Sequence, residues 1–263
     1  MARSLLPMLR AAALAAVVLA SGAAAAKSRK KANVKFHPDW AKHPSAQYGA
    51  MTGPQCFAEL DRRNIKFAAE KPLPGVLAPV RLTGDVGGVI YRTAAPAKER
   101  ATGPHDVFDC RLVLALSDWS KILVAHDIDE VLMYSAWRPP PPKWPEGKLG
   151  TRHPGALAID AYRFGKKLGK KLGKKLAEGK PAKDREWLDV AKDFSGRIGA
   201  PSCGPGAVPP RSKAKAAKEL RKIVCAAADA HLFTTILTPN YDRAHFNHFH
   251  LEVTPDVKWH LVR

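Results

Sequence analysis

Apolar residues recur along this chain in two registers, and each register marks a different kind of element. Between Asp109 and His126, Leu112, Leu116, Trp119 and Leu123 recur at helical spacing, and Asp109 stands where an N-cap belongs. Ser212 to Ala230 repeats the pattern, with Ser212 as cap and Leu220, Ile223, Val224 and Ala227 as the apolar stripe. A shorter helix is expected near Phe57 to Arg63. Strands are expected at Val80–Leu82 and Gly88–Arg92, joined by a Gly-Asp turn, and at Glu130–Trp137, Ala156–Tyr162, Phe233–Leu237 and His248–Val253. Pro139 to Pro142 stop the third of these in a stiff surface loop. Strands and helices do not alternate strictly, so the pattern predicts an α+β fold: a small antiparallel sheet flanked by helices.

The beginning of the chain reads differently. Arg3 and Arg10 make a basic start, Ala11 to Ala20 a short apolar run, and Ala24-Ala25-Ala26 a small-residue end. Residues 1–26 therefore read as a secretory signal. The run falls short of the roughly 20 apolar residues a membrane span needs, and no later stretch could span. An exported protein, periplasmic or secreted, with no stable membrane insertion is expected. Residues 27–50 read as a basic linker, and 51–263 as one domain long enough to bury a real core. Four cysteines, Cys56, Cys110, Cys203 and Cys225, allow three disulfide pairings in such a compartment. Cys56–Cys110 with Cys203–Cys225 is favoured, because each pair brackets one stretch of chain. Zinc ligation by cysteine is the rival, but no Cys-x-x-Cys pair is present.

Charge adds a partner class. The formal net charge is +19, of which the signal carries only Arg3 and Arg10. Basic residues cluster at Lys27–Lys35, in three Gly-Lys-Lys-Leu units from Gly165 to Leu176, and at Lys213, Lys215, Lys218, Arg221 and Lys222. A glycine every four residues disfavours helix, so residues 165–183 are expected to be a flexible lysine-rich insertion. Such a surface attracts polyanions. Export makes anionic cell-envelope polymers the available partner rather than nucleic acid, and simple solvated lysines are the plainer alternative. No dimerisation signal is visible, so a monomer is expected.

The chemistry concentrates in His245-Phe246-Asn247-His248-Phe249-His250. An extended backbone puts His248 and His250 on one face and Phe249 on the other. Upstream, His153 is followed seven positions later by Asp160. Two imidazoles and a carboxylate around one ion, with a position left open, describe a catalytic zinc site. Taken alone, His-Phe-His could be a strand with a buried phenylalanine and exposed histidines. Asp160, after the apolar pair Ala158-Ile159, would be costly to bury without a partner. Glu252 shares the strand face of His248 and His250, placing it either behind a ligand or in a surface salt bridge. His105, His126, His231 and His260 show no partner pattern and read as structural or exposed. Trp119, Trp137 and Trp187 read as core or cleft walls, and Asp242 as a residue able to position its loop.

Tyr134-Ser135-Ala136-Trp137-Arg138, Thr151-Arg152-His153 through Asp160, and His245 through His250 together resemble the extensin-like C-terminal family of bacterial proteins. More broadly they are similar to the zinc peptidases that include the penicillin-insensitive murein endopeptidase, the D-Ala-D-Ala peptidases and lysostaphin. The resemblance runs from about Cys56 to Val253. It implies a D-Ala-D-Ala peptidase/Hedgehog-like zinc peptidase fold, with His153, Asp160 and His250 as Zn2+ ligands. It further implies that His248 is the catalytic histidine, that His245 is accessory, and that Arg138 stabilises negative charge on the substrate. The dipeptidase branch carries a glutamate before its last histidine. Here a His-x-His arrangement stands instead, as in the murein endopeptidase branch, and Thr151 replaces a frequent serine. The implied activity is hydrolysis of an amide bond in peptidoglycan stem peptides or cross-links. The alternative is a non-catalytic envelope-binding module that retains fold and metal.

Overall fold

The computed structural model describes residues 39–167 and 185–263. The expected signal, residues 27–38 of the expected linker and most of the lysine-rich insertion lie outside the described residues. The described end of the linker is not a linker. A 3-10 turn at Trp40–Lys42 leads into α1 (Pro44–Gly49), which buries Ser45 and Tyr48. Pro44 at the first helical turn starts this helix. Tyr48 then anchors it, donating to Asp118 and accepting from Arg63 Nη2 at 2.9 Å.

Helix α2 (Gly53–Arg62) opens a turn earlier than the sequence suggested, with Gln55 accepting from the Thr52 backbone N–H at 3.0 Å. Strands β1 (Phe67–Ala69), β2 (Pro79–Leu82) and β3 (Ile90–Thr93) follow, then α3 (Ala97–Thr102) and β4 (Phe108–Asp109). Helix α4 (Cys110–Ala125) forms where its pattern predicts. The Asp109 carboxylate caps it, accepting from the Arg111 N–H at 3.0 Å. Beyond it run β5 (Ile128–Met133), β6 (Ala158–Lys166), β7 (Trp187–Asp189) and α5 (Val190–Asp193). The chain closes with α6 (Lys215–Asp229), β8 (Thr235–Leu237), β9 (Phe249–Glu252) and β10 (Leu261–Val262). Ser212 does not cap α6. Its hydroxyl accepts from Ala214 N–H at 3.1 Å, closing a turn just ahead of the helix.

The fold is α+β, as its pattern predicts, but the main sheet is mixed rather than antiparallel. Among the described residues it runs β10-β8-β9-β6-β5-β3, with β7 also paired to β6. Strands β3 and β5 are parallel, which a connection long enough to hold α4 permits. β10 is parallel to β8, because the chain reverses after β8 and again after β9 before returning to the far edge of β8. A separate three-stranded sheet, β1-β2-β4, lies beside it.

The core sits where α4 meets this sheet. Trp119 of α4 is fully buried and meets Phe164 and Phe233 edge-on, at 5.8 and 5.9 Å between ring centroids. Phe164 and Phe194 in turn pack on Phe249. The Cys56–Cys110 disulfide joins α2 to the first residue of α4, and Cys203–Cys225 ties the preceding loop to α6. Both are the favoured pairings. Two disulfides fit an oxidising, extracytoplasmic compartment. Among the described residues no helix is long and apolar enough to cross a membrane.

Candidate metal centre

Strands β6 and β9 pair antiparallel, with Asp160 opposite His250 and Ala158 opposite Glu252. A two-residue period sends Ile159, Ala161, Phe249 and Leu251 into the core, all fully buried. The opposite face then presents Asp160, His250 and Glu252. One register therefore builds core and site together. His153 reaches the same point from a 3-10 turn, His153–Gly155, between β5 and β6. That turn is bracketed by two left-handed residues, Arg152 and Ala156, each at φ 54°. Such conformations in residues with a Cβ cost about 1–3 kcal/mol each and persist where the surroundings enforce them. Here Leu157 N–H bonds the Arg152 carbonyl at 2.9 Å, and Asp109 N–H bonds that of Ala156 at 2.9 Å. Gly155 must be glycine, since a Cβ there would stand 2.3 Å from the Gly150 carbonyl oxygen.

The four expected polar groups converge on one atom. Asp160 Oδ1 lies 2.9 Å from His250 Nδ1, 3.1 Å from His153 Nε2 and 3.4 Å from His248 Nε2. His153, Asp160 and His250 are also buried enough to exclude bulk water, at 7, 3 and 6 % exposure. Each imidazole is held from behind. His153 Nδ1 donates to the Ala136 carbonyl at 2.8 Å, His250 Nε2 to Glu252 Oε2 at 3.3 Å, and His248 Nδ1 to Asn247 Oδ1 at 2.8 Å. With the outer nitrogens held, the inward nitrogens of His153 and His250 bond Asp160 through a proton where no ion is bound, and can turn lone pairs on an ion in the proton's place. The donor set, two imidazoles and a carboxylate within 4.8 Å of one another, suits zinc. The observed spacings are close to the roughly 3.4 Å between two ligand atoms of a tetrahedral zinc.

Without an ion the same groups form a buried ion-pair network. Burial opposes charge on Asp160, yet hydrogen bonds from His153 and His250 hold its carboxyl far below the usual carboxylate range. Burial also disfavours the His250 cation, but its bonds to Asp160 and Glu252 outweigh this and raise its pKa. Glu252 is likewise buried, and its carboxyl is lowered by His250 and Thr254. Burial drives His248 down to about 4 against the pull of Asp160, so its imidazole is neutral near pH 7.

Arg138 is half-exposed, and its guanidinium pairs with Asp160 Oδ2 while Nε donates to Ser135 Oγ at 2.8 Å. The outer carboxylate oxygen is thereby occupied, leaving Oδ1 for the histidines. His245 lines the cleft beside His248, 5.1 Å between rings, with Nδ1 donating to Asp242 Oδ1 at 2.7 Å. Asp242 also caps the turn that carries His245, accepting from Ala244 and His245 N–H. Glu252 lies behind His250 rather than in a purely surface pair, although Arg152 approaches it at 3.7 Å.

Tyr134, Arg152 and Asn247 are among the further residues that line this cleft of about 470 Å³. These three lie in the segments that carry the resemblance, but nothing in their spacing gives them a role. Asn247 Nδ2 donates to Tyr134 Oη at 2.9 Å, and Tyr134 stacks on Tyr162 with ring centroids 4.3 Å apart. A larger hollow of about 740 Å³, lined by Trp40, Met51, Gln55 and Asp256 among others, has no metal-ligating cluster on its walls. Chemistry rather than size picks out the site.

No curated protein and no solved structure matches the chain. Residues 207–263, which carry α6, the last three strands and His245 through His250, match the family described as "Extensin-like protein C-terminus".

Proposed function

We propose that this chain is an exported zinc-dependent peptidase that hydrolyses amide bonds in peptidoglycan peptides or cross-links. The observation that carries the reading is the convergence of three back-bonded imidazoles and Asp160 on one point in an open cleft. His153, Asp160 and His250 would hold the ion. Zinc bound there would lower the pKa of a water and polarise a carbonyl.

The chain's own groups supply the rest. His248 keeps Nε2 unprotonated and faces the site, so it can take a proton and return it to a leaving amine. Asn247 holds that ring in its tautomer, and Tyr134 holds Asn247. Arg138 fixes Asp160 and leaves guanidinium N–H groups at the cleft surface, where they can meet negative charge on a substrate. His245 extends the imidazole lining toward the rim.

The test is paired. Zinc content and release of peptide fragments from purified sacculi are measured for the wild type and for His248→Ala. Zinc retained by both, with release by the wild type alone, supports the reading, and product masses then identify the bond. Removal of a general acid–base group costs about 10²–10⁴-fold in rate. Zinc without release from either protein would instead favour a non-catalytic envelope-binding module.

A further inference from the structure

Three more histidines meet outside this cleft, and they come from remote parts of the chain. His43 immediately precedes α1, His231 follows the C-terminus of α6, and His260 leads into β10. One nitrogen of each lies within 4.8 Å of the other two. His43 Nδ1 and His260 Nε2 stand 2.9 Å apart. His260 Nδ1 donates to the Phe233 carbonyl at 3.1 Å, which turns its Nε2 lone pair into the cluster. His153 is held in the same way in the first site, by a backbone carbonyl behind the ring.

The surroundings fix the three segments. Ser45 N–H bonds the His231 carbonyl at 3.2 Å, and Leu261 N–H bonds that of Thr234 at 2.8 Å. His231 itself is left-handed, at φ 50°. Trp40 covers His260 with ring centroids 4.5 Å apart. The three residues are half-buried.

We infer that His43, His231 and His260 form a second site for a divalent transition metal, separate from the cleft. An all-imidazole set suits zinc, copper or nickel and rejects calcium and magnesium, which demand oxygen ligands. In the metal-free chain a proton on His43 Nδ1 fills the gap to His260 Nε2. His43–His231 and His231–His260 pack face to face at 4.0 and 4.4 Å, so the rings turn about χ2 to admit the ion. That torsion is soft for histidine. The ion would tie together the segment before α1, the α6–β8 connection and the short terminal strand. Its role is therefore to fasten chain segments rather than to carry out chemistry.

The experiment is zinc and cobalt(II) uptake by the chelator-stripped, tag-free full chain. His250→Ala silences the cleft and should leave one equivalent, and adding His260→Gln should remove it. Thermal midpoints in chelator and in zinc should separate for His250→Ala and coincide for the double variant. Equal uptake by His250→Ala and the double variant, or none by His250→Ala, overturns the inference. Should either variant fail to fold, wild type is compared with His231→Gln, which should take up one equivalent fewer; equal uptake overturns the inference.

Discussion

The two faces of the β6–β9 ladder are buried to nearly the same depth yet held by opposite physics. On one, Ile159, Ala161, Phe249 and Leu251 are fully buried among other apolar side chains. On the other, Asp160, His250 and Glu252 are 3–6 % exposed, and each is satisfied only by other polar groups. The apolar face gains from leaving water, about 25 cal/mol per Å² of apolar area removed. The polar face gains little net from its pairing, because desolvation offsets the attraction. Depth of burial therefore says nothing about which face supports the fold. The core face sets stability, and the site face sets what can bind.

The sharpest way to break the comparison is at its ligands. His250→Ala, and equally His153→Ala or Asp160→Ala, should lose the cleft's metal equivalent altogether. The thermal midpoint in chelator should fall too, because the removed group's partners stay buried without it, and elemental analysis beside a melting curve checks both halves. Zinc held equally well after His250→Ala would refute the ligand assignment. Phe249→Ala, one residue away on the other face, should differ by keeping the metal. It should cost about 3–5 kcal/mol of unfolding free energy in a denaturant titration while the folded fraction keeps its zinc affinity.

Cys203→Ser with Cys225→Ser touches neither face. By loop closure over a sequence separation of 22, about 3 kcal/mol should be lost, with activity per folded molecule unchanged. The smallest effect belongs to Glu252→Ala. Removing the carboxylate behind His250 should weaken zinc binding by about 10–100-fold, read by competition with a chelating dye. An unchanged affinity there would mean that His250 is oriented by its strand alone.

Much of this was legible because periodicity and chemistry coincide on the same residues. Asp109, Leu112, Leu116 and Trp119 specify α4 and its cap, and the alternation around Phe249 specifies both faces of β9. His153 with Asp160 was readable as a spacing, since a turn followed by a strand fixes how far one lies from the other. Strands as short as β1, β7 and β10 carry too few residues to show a period, and parallel pairing depends on connections rather than on the strands themselves. β5 ends at Met133, short of the expected Trp137, because the chain must turn there to aim the Ala136 carbonyl at His153. The resemblance gives Arg138 a role toward substrate charge, and its pairing with Asp160 is in addition a tertiary event with no local signature. His231 and His260 looked unpartnered for the same reason, since their neighbours come from opposite ends of the domain.

The register of β6 against β9 has a practical corollary. Sliding the pair by one residue would drive Asp160 and His250 into the core and turn Phe249 and Leu251 outward, at a cost no folded population could bear. A correctly folded core and a misassembled cleft are therefore mutually exclusive. If the proposed ion binds there, its uptake would count native molecules, so a zinc titration of that site would double as an assay of how much of a preparation is correctly folded.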